Sequence, residues 1–328
     1  MKKIRFGIVG AGAIAQGYAR AFQTCEEAEV VAVADVRKDA AAALAEPFGC
    51  PSFVSHGELA ERSKPDAVLI STPPASHPEI CLHFIERKVP VLCEKPFAVS
   101  VAETTLVLEA ARKHRVTITM ASKFRYVADV VEAKRIVDSG AIGDIVLFEN
   151  AFAARVDMSN RWNSNPAISG GGVLIDNGTH SLDLARYFLG PLAEVLAIEG
   201  PRTPDLQVED TVSVFVRSKN GVIGTIDLSW AINKELDRYV SIFGTRGAVL
   251  VGWKQSTYRQ MQSADWTAFG SGYDKIGAFR AQVANFARAI KGEESPVVAA
   301  EDILGSARVI EAAYESMRRS HWTPVNGD

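Results

Sequence analysis

A short apolar run that empties into Gly10-Ala11-Gly12-Ala13-Ile14-Ala15 constrains this chain more than any other stretch. Ile4 to Val9 reads as a buried strand by composition, and Tyr18, Ala19 and Phe22 continue at helical spacing. Strand, Gly-x-Gly-x-x-Ala, helix is the layout of a phosphate-binding turn. Gly10 permits the tight turn, Gly12 lets the backbone approach a pyrophosphate, and Ala15 is small enough for close helix–strand packing. Beyond them, at Ala13 and Ile14, the helix N-terminus offers N–H groups and the positive end of its dipole. A glycine pattern alone is a weak signal, and its context is what strengthens it. A second strand ends at Asp35, 20 residues beyond Ala15, where a carboxylate can accept from a ribose 2′-hydroxyl. The same charge repels a 2′-phosphate, so NAD is favoured over NADP, although Arg37 and Lys38 offset part of that repulsion. The simpler reading of Asp35 is that it starts the next turn.

The alternation continues. A helix over 40–48 leads to a short strand near 52–54, a strand over 66–70 and a helix over 76–87. A strand over 89–94, a helix over 101–115 and a strand over 116–120 follow. The pattern is that of an α/β domain with a doubly wound parallel sheet, a Rossmann arrangement. In such sheets ligands bind outside the carboxyl ends of the strands. Two ends besides the first point that way: Ser71-Thr72-Pro73, with His77 close behind, and Glu94-Lys95-Pro96. The apolar run Val89-Pro90-Val91-Leu92-Cys93 stops on two opposite charges and a proline, and Pro96 biases Lys95 toward extended backbone. Lys95 is therefore expected where a cofactor held by the first half meets a substrate held by the second. The blander alternative is a surface pair before a turn. For His77 a cofactor contact and a capping role are both open.

After Met120 the rhythm changes, which puts a domain boundary at 121/122 and assigns 122–328 to a second, α+β domain. A helix over 130–139 is followed by longer, more alternating strands at 145–154, 195–199, 211–217, 222–231, 239–243 and 248–253. They suit a large, mostly antiparallel sheet with one covered face. Its other face carries enough Val, Ile, Trp and Phe to suggest contact between subunits, a homodimer or homotetramer through this sheet. Two helices with apolar stripes (Phe279, Val283, Phe286, Ile290; then Ile303, Ala307, Ile310, Tyr314, Met317) close the chain.

One helix of this half stands out. Ser169-Gly170-Gly171-Gly172 opens it and Gly190-Pro191 ends it. At about 100° per residue Asp176, His180, Asp183 and Tyr187 share a face, and Leu182, Ala185, Phe188 and Leu189 the other. A carboxylate four residues before an imidazole raises the histidine's basicity and fixes its orientation, as a general acid/base requires. The pair could also supply two metal ligands, but no third ligand cluster is evident and no metal is expected. An ordinary solvent-facing pair is the remaining alternative. The three glycines would let a ligand approach the helix N-terminus closely.

Bulk properties bound the partners. A net charge of −3 with no basic tract argues against nucleic acid. No apolar run reaches a membrane span. Cys25, Cys50, Cys81 and Cys93 form no Cys-x-x-Cys pair, so free thiols in a reducing cytoplasm are expected. The opening Met1-Lys2-Lys3 and the apolar run after it could mimic a secretion signal, but Arg5 interrupts that run.

Taken together these motifs resemble the Gfo/Idh/MocA family of nicotinamide-dependent oxidoreductases, which act mainly on sugars and cyclitols. The resemblance rests on Gly10-x-Gly12-x-x-Ala15, Asp35, Ser71-Thr72-Pro73 with His77, Glu94-Lys95-Pro96 and Gly171-Gly172-x-x-x-Asp176-x-x-x-His180. It implies that Lys95 hydrogen-bonds the reacting hydroxyl and touches the nicotinamide ribose. It also implies that Asp176 and His180 line the substrate pocket with His180 as proton acceptor, and that Arg125 contacts substrate or cofactor. Asp157, Arg161 and Trp162 would lie in a loop over the pocket, where substrate choice is written. Two other activities fit the same residues: an NAD-dependent glycoside hydrolase that oxidises its sugar transiently, and a non-enzymatic NAD-binding regulator.

Overall fold

The computed structural model describes residues 2–159 and 161–327. In chain order the first stretch contains β1 (Ile4–Val9), α1 (Ala13–Gln23), β2 (Ala28–Ala34), α2 (Lys38–Ala45), β3 (Ser52–Phe53), α3 (His56–Ser63), β4 (Ala67–Ile70), α4 (His77–Glu86), β5 (Val91–Glu94), α5 (Val101–His114) and β6 (Ile118–Ala121). The second contains α6 (Ala128–Asp138), β7 (Ile145–Ala153), α7 (Pro166–Ser169), α8 (Val173–Leu189), β8 (Leu192–Glu199), β9 (Thr211–Ser218) and β10 (Ile223–Ser229). The remainder is β11 (Arg238–Gly244), β12 (Gly247–Gly252), β13 (Ser256–Gln260), β14 (Thr267–Gly270), α9 (Lys275–Ile290), α10 (Ala300–Arg319) and β15 (Thr323–Pro324). No helix among the described residues is long and apolar enough to cross a membrane.

The first six strands form one parallel sheet in the order β3-β2-β1-β4-β5-β6. The strand order reverses between β1 and β4, which opens a crevice at their carboxyl ends. Every residue of β4 and β5 is buried. Both faces of a parallel sheet are covered by helices, which is why these strands are apolar throughout rather than alternating. Serines start two of the helices: Ser55 Oγ accepts the N–H of Glu58 at 3.2 Å, and Ser100 Oγ accepts that of Glu103 at 3.2 Å.

The compact units are not the two halves expected from the sequence. The first comprises Met1–Lys123 and Lys275–Leu304, the second Phe124–Asp274 and Gly305–Asp328. Leaving the first sheet at Lys123 agrees with the expected change of rhythm, but 275–304 returns to it. Helix α9 lies against α1, with Phe279 stacked on Tyr18 at 4.1 Å between centroids and Phe286 meeting Phe6 at 6.2 Å. Phe6, Tyr18, Phe279, Val283 and Phe286 belong to one buried cluster. Burying each such large side chain contributes about 1.5–3 kcal/mol. The stripe on α9 was evident in the sequence, but which sheet it covers was not.

In the second unit nine strands form one sheet in the order β14-β13-β12-β11-β7-β10-β9-β8-β15. All pairs are antiparallel except β7 with β10. Alternate burial along β9 marks one covered face, over which α8 packs. Strands β13, β14 and β15 were not expected; they are short and lie at the sheet's margins, where side chains need not alternate.

Candidate active site

The residues singled out in the first half gather at the carboxyl ends of the first sheet. Gly10 follows β1 with φ at +96°, and a Cβ there would stand 2.7 Å from the Ser71 carbonyl carbon and 2.8 Å from the Thr72 nitrogen. Only glycine fits both the conformation and the space. Ser71 is buried and its hydroxyl donates to the Gly10 carbonyl at 2.9 Å, tying the end of β4 to the glycine turn. A Cβ on Gly12 would meet nothing within 4 Å. That open space stands over the start of α1, where Ala13 and Ile14 begin the helix and no side chain caps it. The geometry fits a pyrophosphate, which needs exposed N–H groups and an unobstructed approach.

Asp35, just past β2, accepts the N–H of Ala11 at 2.7 Å on one oxygen and the N–H of Arg37 at 2.8 Å on the other. The Arg37 guanidinium also pairs with it at 3.2 Å. Burial pushes this carboxyl up, but the two backbone donors and the guanidinium outweigh it and hold Asp35 below the usual carboxylate range. Asp35 therefore fixes the glycine turn and keeps a negative charge beside it. Thr72 and Pro73 start the turn into α4, where the Ser76 hydroxyl meets the Thr72 side chain and the Pro73 carbonyl, each at 2.8 Å.

Two expected cofactor contacts are placed differently. His77 is 0% exposed, and its ring nitrogens face the carbonyls of Thr72 at 2.8 Å and Pro96 at 3.0 Å. It bolts the end of β4 to the turn after β5 and offers no surface to a ligand. Desolvation holds its pKa below the ordinary histidine value. Glu94 is likewise buried. Its oxygens accept the Tyr18 hydroxyl at 2.7 Å and the backbone N–H of Lys95 at 3.0 Å. Only Lys95, partly exposed and joined to Pro96 by a cis peptide, emerges from that strand end.

In the second unit α8 carries Asp176 and His180 one turn apart on a common face. His180 is buried, with the Phe124 ring edge-on at 5.0 Å and 76°. Asp176 is partly buried and accepts from the Asn163 side-chain amide at 3.3 Å. Asn163 was not anticipated; it belongs to the 3-10 turn Trp162–Ser164 in the loop expected to cover the pocket. Trp162 itself is 43% exposed. Asp157 is exposed, and the N–H and hydroxyl of Ser159 donate to it at 3.0 and 2.7 Å, lowering its pKa. A cavity of about 660 Å³ borders this loop, lined by Arg155, Asp157, Asn165, Thr203 and Trp230 among others. Asp176, His180 and Trp162 do not line it.

Arg125 and the polar stripe of α8 need correction. Arg125 and Asp183 are both buried and joined by two hydrogen bonds of 2.7 and 3.0 Å. The guanidinium also lies 5.1 Å from the centre of the Tyr187 ring. Half of the stripe thus anchors the helix through a buried ion pair, and the substrate contact expected of Arg125 gives way to that pairing.

The glycines before α8 also have an unforeseen partner. The Glu209 carboxylate accepts the N–H of Gly172 at 2.8 Å, the N–H of Leu174 at 3.2 Å and the Tyr314 hydroxyl at 2.7 Å. A Cβ on Gly172 would overlap the Glu209 carbonyl, and one on Gly171 the Tyr314 hydroxyl. What comes close to this helix N-terminus is the protein's own backbone and a buried carboxylate, which satisfies the free donors and the dipole together. Nothing local in the sequence signalled Glu209, 37 residues from Gly172. Among the described residues no group of three or more His, Cys, Asp or Glu is arranged to hold a metal ion.

Two family models meet this chain in sequence. Residues 4–122 match the oxidoreductase family with an NAD-binding Rossmann fold, and residues 130–250 match the GFO/IDH/MocA C-terminal domain. The chain belongs to the Gfo/Idh/MocA oxidoreductase family. Within it, the chain is 25% identical over 315 residues to a myo-inositol 2-dehydrogenase of Thermotoga maritima, covering 91% of this chain and 92% of that one. It is 24% identical to a levoglucosan dehydrogenase of Pseudarthrobacter phenanthrenivorans, over 84% and 80% of the two chains. A solved levoglucosan dehydrogenase in complex with NADH and levoglucosan superposes with a TM-score of 0.91 at 21% identity, covering 99% of this chain and 100% of that one. At that identity the superposition speaks for the fold. As a Gfo/Idh/MocA protein the chain has an NAD-binding Rossmann domain over residues 4–122, and the open space at Gly12 and the carboxylate of Asp35 lie within it.

Proposed function

We infer that this oxidoreductase moves a hydride between NAD(H) and a secondary alcohol or ketone of a sugar, sugar derivative or cyclitol. The relatives named above act on polyhydroxy rings, inositol and levoglucosan. The observation that carries the reading is the intact chemical set on both units. One has a glycine turn open to phosphate with Lys95 at a neighbouring strand end; the other has Asp176 and His180 on one face of α8. A nucleotide-binding regulator needs the first of these and has no use for an acid/base pair.

A bound nicotinamide supplies the hydride acceptor or donor. The chain's residues do the rest. Asp35 accepts from the ribose hydroxyls, and its charge favours NAD over NADP. Lys95 donates a hydrogen bond to the reacting oxygen and so stabilises the alkoxide character that builds as the proton leaves. His180 takes that proton, oriented by Asp176 one turn earlier. Asp157, Arg161 and Trp162, on the loop that also brings Asn163 to Asp176, select among polyols.

We assign the chain to the cytoplasm and to a homodimer or homotetramer. All four cysteines are free thiols, which suits a reducing compartment. On the uncovered face of the large sheet Phe215 and Ile223 stand 39% and 51% exposed on neighbouring strands, with Ile198 at 52% nearby. Such an apolar face fits a copy of itself.

A screen of aldoses, uronates, inositols and nucleotide sugars with NAD and NADP, read as absorbance of reduced cofactor, tests the activity. No net reduction with any polyol, or oxidation with any ketose, would overturn it. In the active pairing, Lys95→Met and His180→Asn should each lower turnover about 10²–10⁴-fold. Cofactor affinity by fluorescence titration should change little; unchanged turnover in both variants would dismiss the assignment.

A further inference from the structure

The carboxylate just past β2 is already fully engaged. A carboxylate offers about four acceptor positions, two on each oxygen. On Asp35, Oδ1 accepts the Arg37 backbone N–H at 2.8 Å and Arg37 Nε at 3.2 Å. Oδ2 accepts the Ala11 N–H at 2.7 Å and Arg37 Nη2 at 3.4 Å. A ribose hydroxyl that donates to Asp35 must therefore displace one of these donors. The two backbone N–H groups are held by the glycine turn and by the start of α2, where Arg37 is the N-cap residue. The guanidinium is the donor that can leave. The Arg37 side chain is 65% exposed, against 9% for Asp35, and Val36 between them is 88% exposed, so Arg37 has solvent to swing into. An ion pair this exposed holds its partner weakly.

We propose that Arg37 sets the balance between NAD and NADP, lying on Asp35 as a competitor of the ribose hydroxyls and turning from it onto a 2′-phosphate when one is present. The proposal rests on the ribose contact given to Asp35 above and adds what that contact displaces. With NAD, a hydroxyl gains a charge-assisted hydrogen bond while Asp35 gives up its guanidinium, so part of the gain is offset. With NADP, the same movement brings the guanidinium, a planar fork suited to phosphate, to the group that Asp35 repels. Lys38, the first residue of α2, adds a positive charge next to Arg37, and Asp39 after it a negative one. The preference for NAD that Asp35 confers is therefore shallow, and the chain takes both dinucleotides.

Isothermal titration calorimetry of the full chain with NAD and NADP, in a buffer of low ionic strength, tests this without turnover. Arg37→Ala removes the guanidinium and keeps the backbone N–H, and thermal unfolding checks that the variant folds. NAD should bind it about two- to fivefold more tightly, because the exposed ion pair no longer competes. NADP should bind about tenfold more weakly, the loss of a charge-assisted bond to phosphate. NAD lacking the adenosine 2′-hydroxyl should gain less than NAD does. An NAD affinity that is unchanged or weaker in Arg37→Ala overturns the proposal, as does an unchanged NADP affinity or an equal gain by the deoxy analogue. Asp35→Asn separates this proposal from the functional reading. If NAD binds that variant as it binds the parent, the ribose lies elsewhere and both fall. If NAD weakens there while Arg37→Ala shifts neither dinucleotide, the role of Asp35 stands and only this proposal fails.

Discussion

Replacing Arg125 by methionine separates a structural from a substrate-binding role for that residue. Arg125 and Asp183 are 4% and 1% exposed and share hydrogen bonds of 2.7 and 3.0 Å. Methionine fills much of the same volume but leaves the Asp183 carboxylate buried, with the Ser306 hydroxyl 3.5 Å away. Removing one partner of a buried ion pair costs about 3–5 kcal/mol, most of it the desolvation of the charge left behind. For a unit of this size that is a fall in Tm of about 6–20 °C. The double variant Arg125→Met/Asp183→Leu removes both charges and should recover most of the loss. Differential scanning calorimetry reads both, and steady-state kinetics on the folded fraction should show KM for substrate within about threefold of the parent. The reasoning is refuted if Arg125→Met costs less than about 1 kcal/mol while KM rises tenfold or more. The guanidinium would then be a ligand contact and its pairing with Asp183 incidental.

The other expectations are briefer. Asp35→Asn should weaken NAD and narrow its margin over NADP by about tenfold in fluorescence titrations, because the repulsion of a 2′-phosphate goes with the charge; an unchanged ratio would place the ribose elsewhere. The folded-state pKa of Asp35 is depressed. Its contribution to stability is therefore present above the ordinary carboxylate pKa and lost as pH falls through the lowered value, so acid unfolding of Asp35→Asn should be shallower than that of the parent. Glu209→Leu strips the acceptor from two N–H groups and from Tyr314, and should cost about 2–4 kcal/mol in urea unfolding; a loss under 0.5 kcal/mol would show that α8 does not need this cap. Phe215→Glu, on the uncovered sheet face, should shift the light-scattering mass toward that of a monomer, and an unmoved mass would put the subunit contact elsewhere.

Much of the fold was legible because its signals are short in range. The glycine turn and the strand and helix periodicities act within a few residues, and they located most elements to within about two residues, while the short helix α3 went unread. The dinucleotide turn and Asp35 belong to the same class, since loop and carboxylate positions follow from strand order. Glu94 shows where this stops. Its neighbour Lys95 does follow a strand end, but no local signal shows that Glu94 turns inward to Tyr18, 76 residues before it, which in turn meets Gln282. Asp183 and Arg125 make the same point, 58 residues apart.

By itself, then, the sequence determined most of the order of elements, though not α3 or the short strands β13, β14 and β15, together with the parallel sheet, the nucleotide turn and the placing of Asp176 and His180 on one helix face. Tertiary structure alone decided which polar groups go inside: His77 between two carbonyls, Asp183 against Arg125, Glu209 over the start of α8, and α9 on the first sheet rather than the second. The physical reason is that periodicity is a property of neighbours along the chain. The fate of a charge or an apolar stripe depends on what the folded chain brings to it from far away, and on whether that partner repays its desolvation.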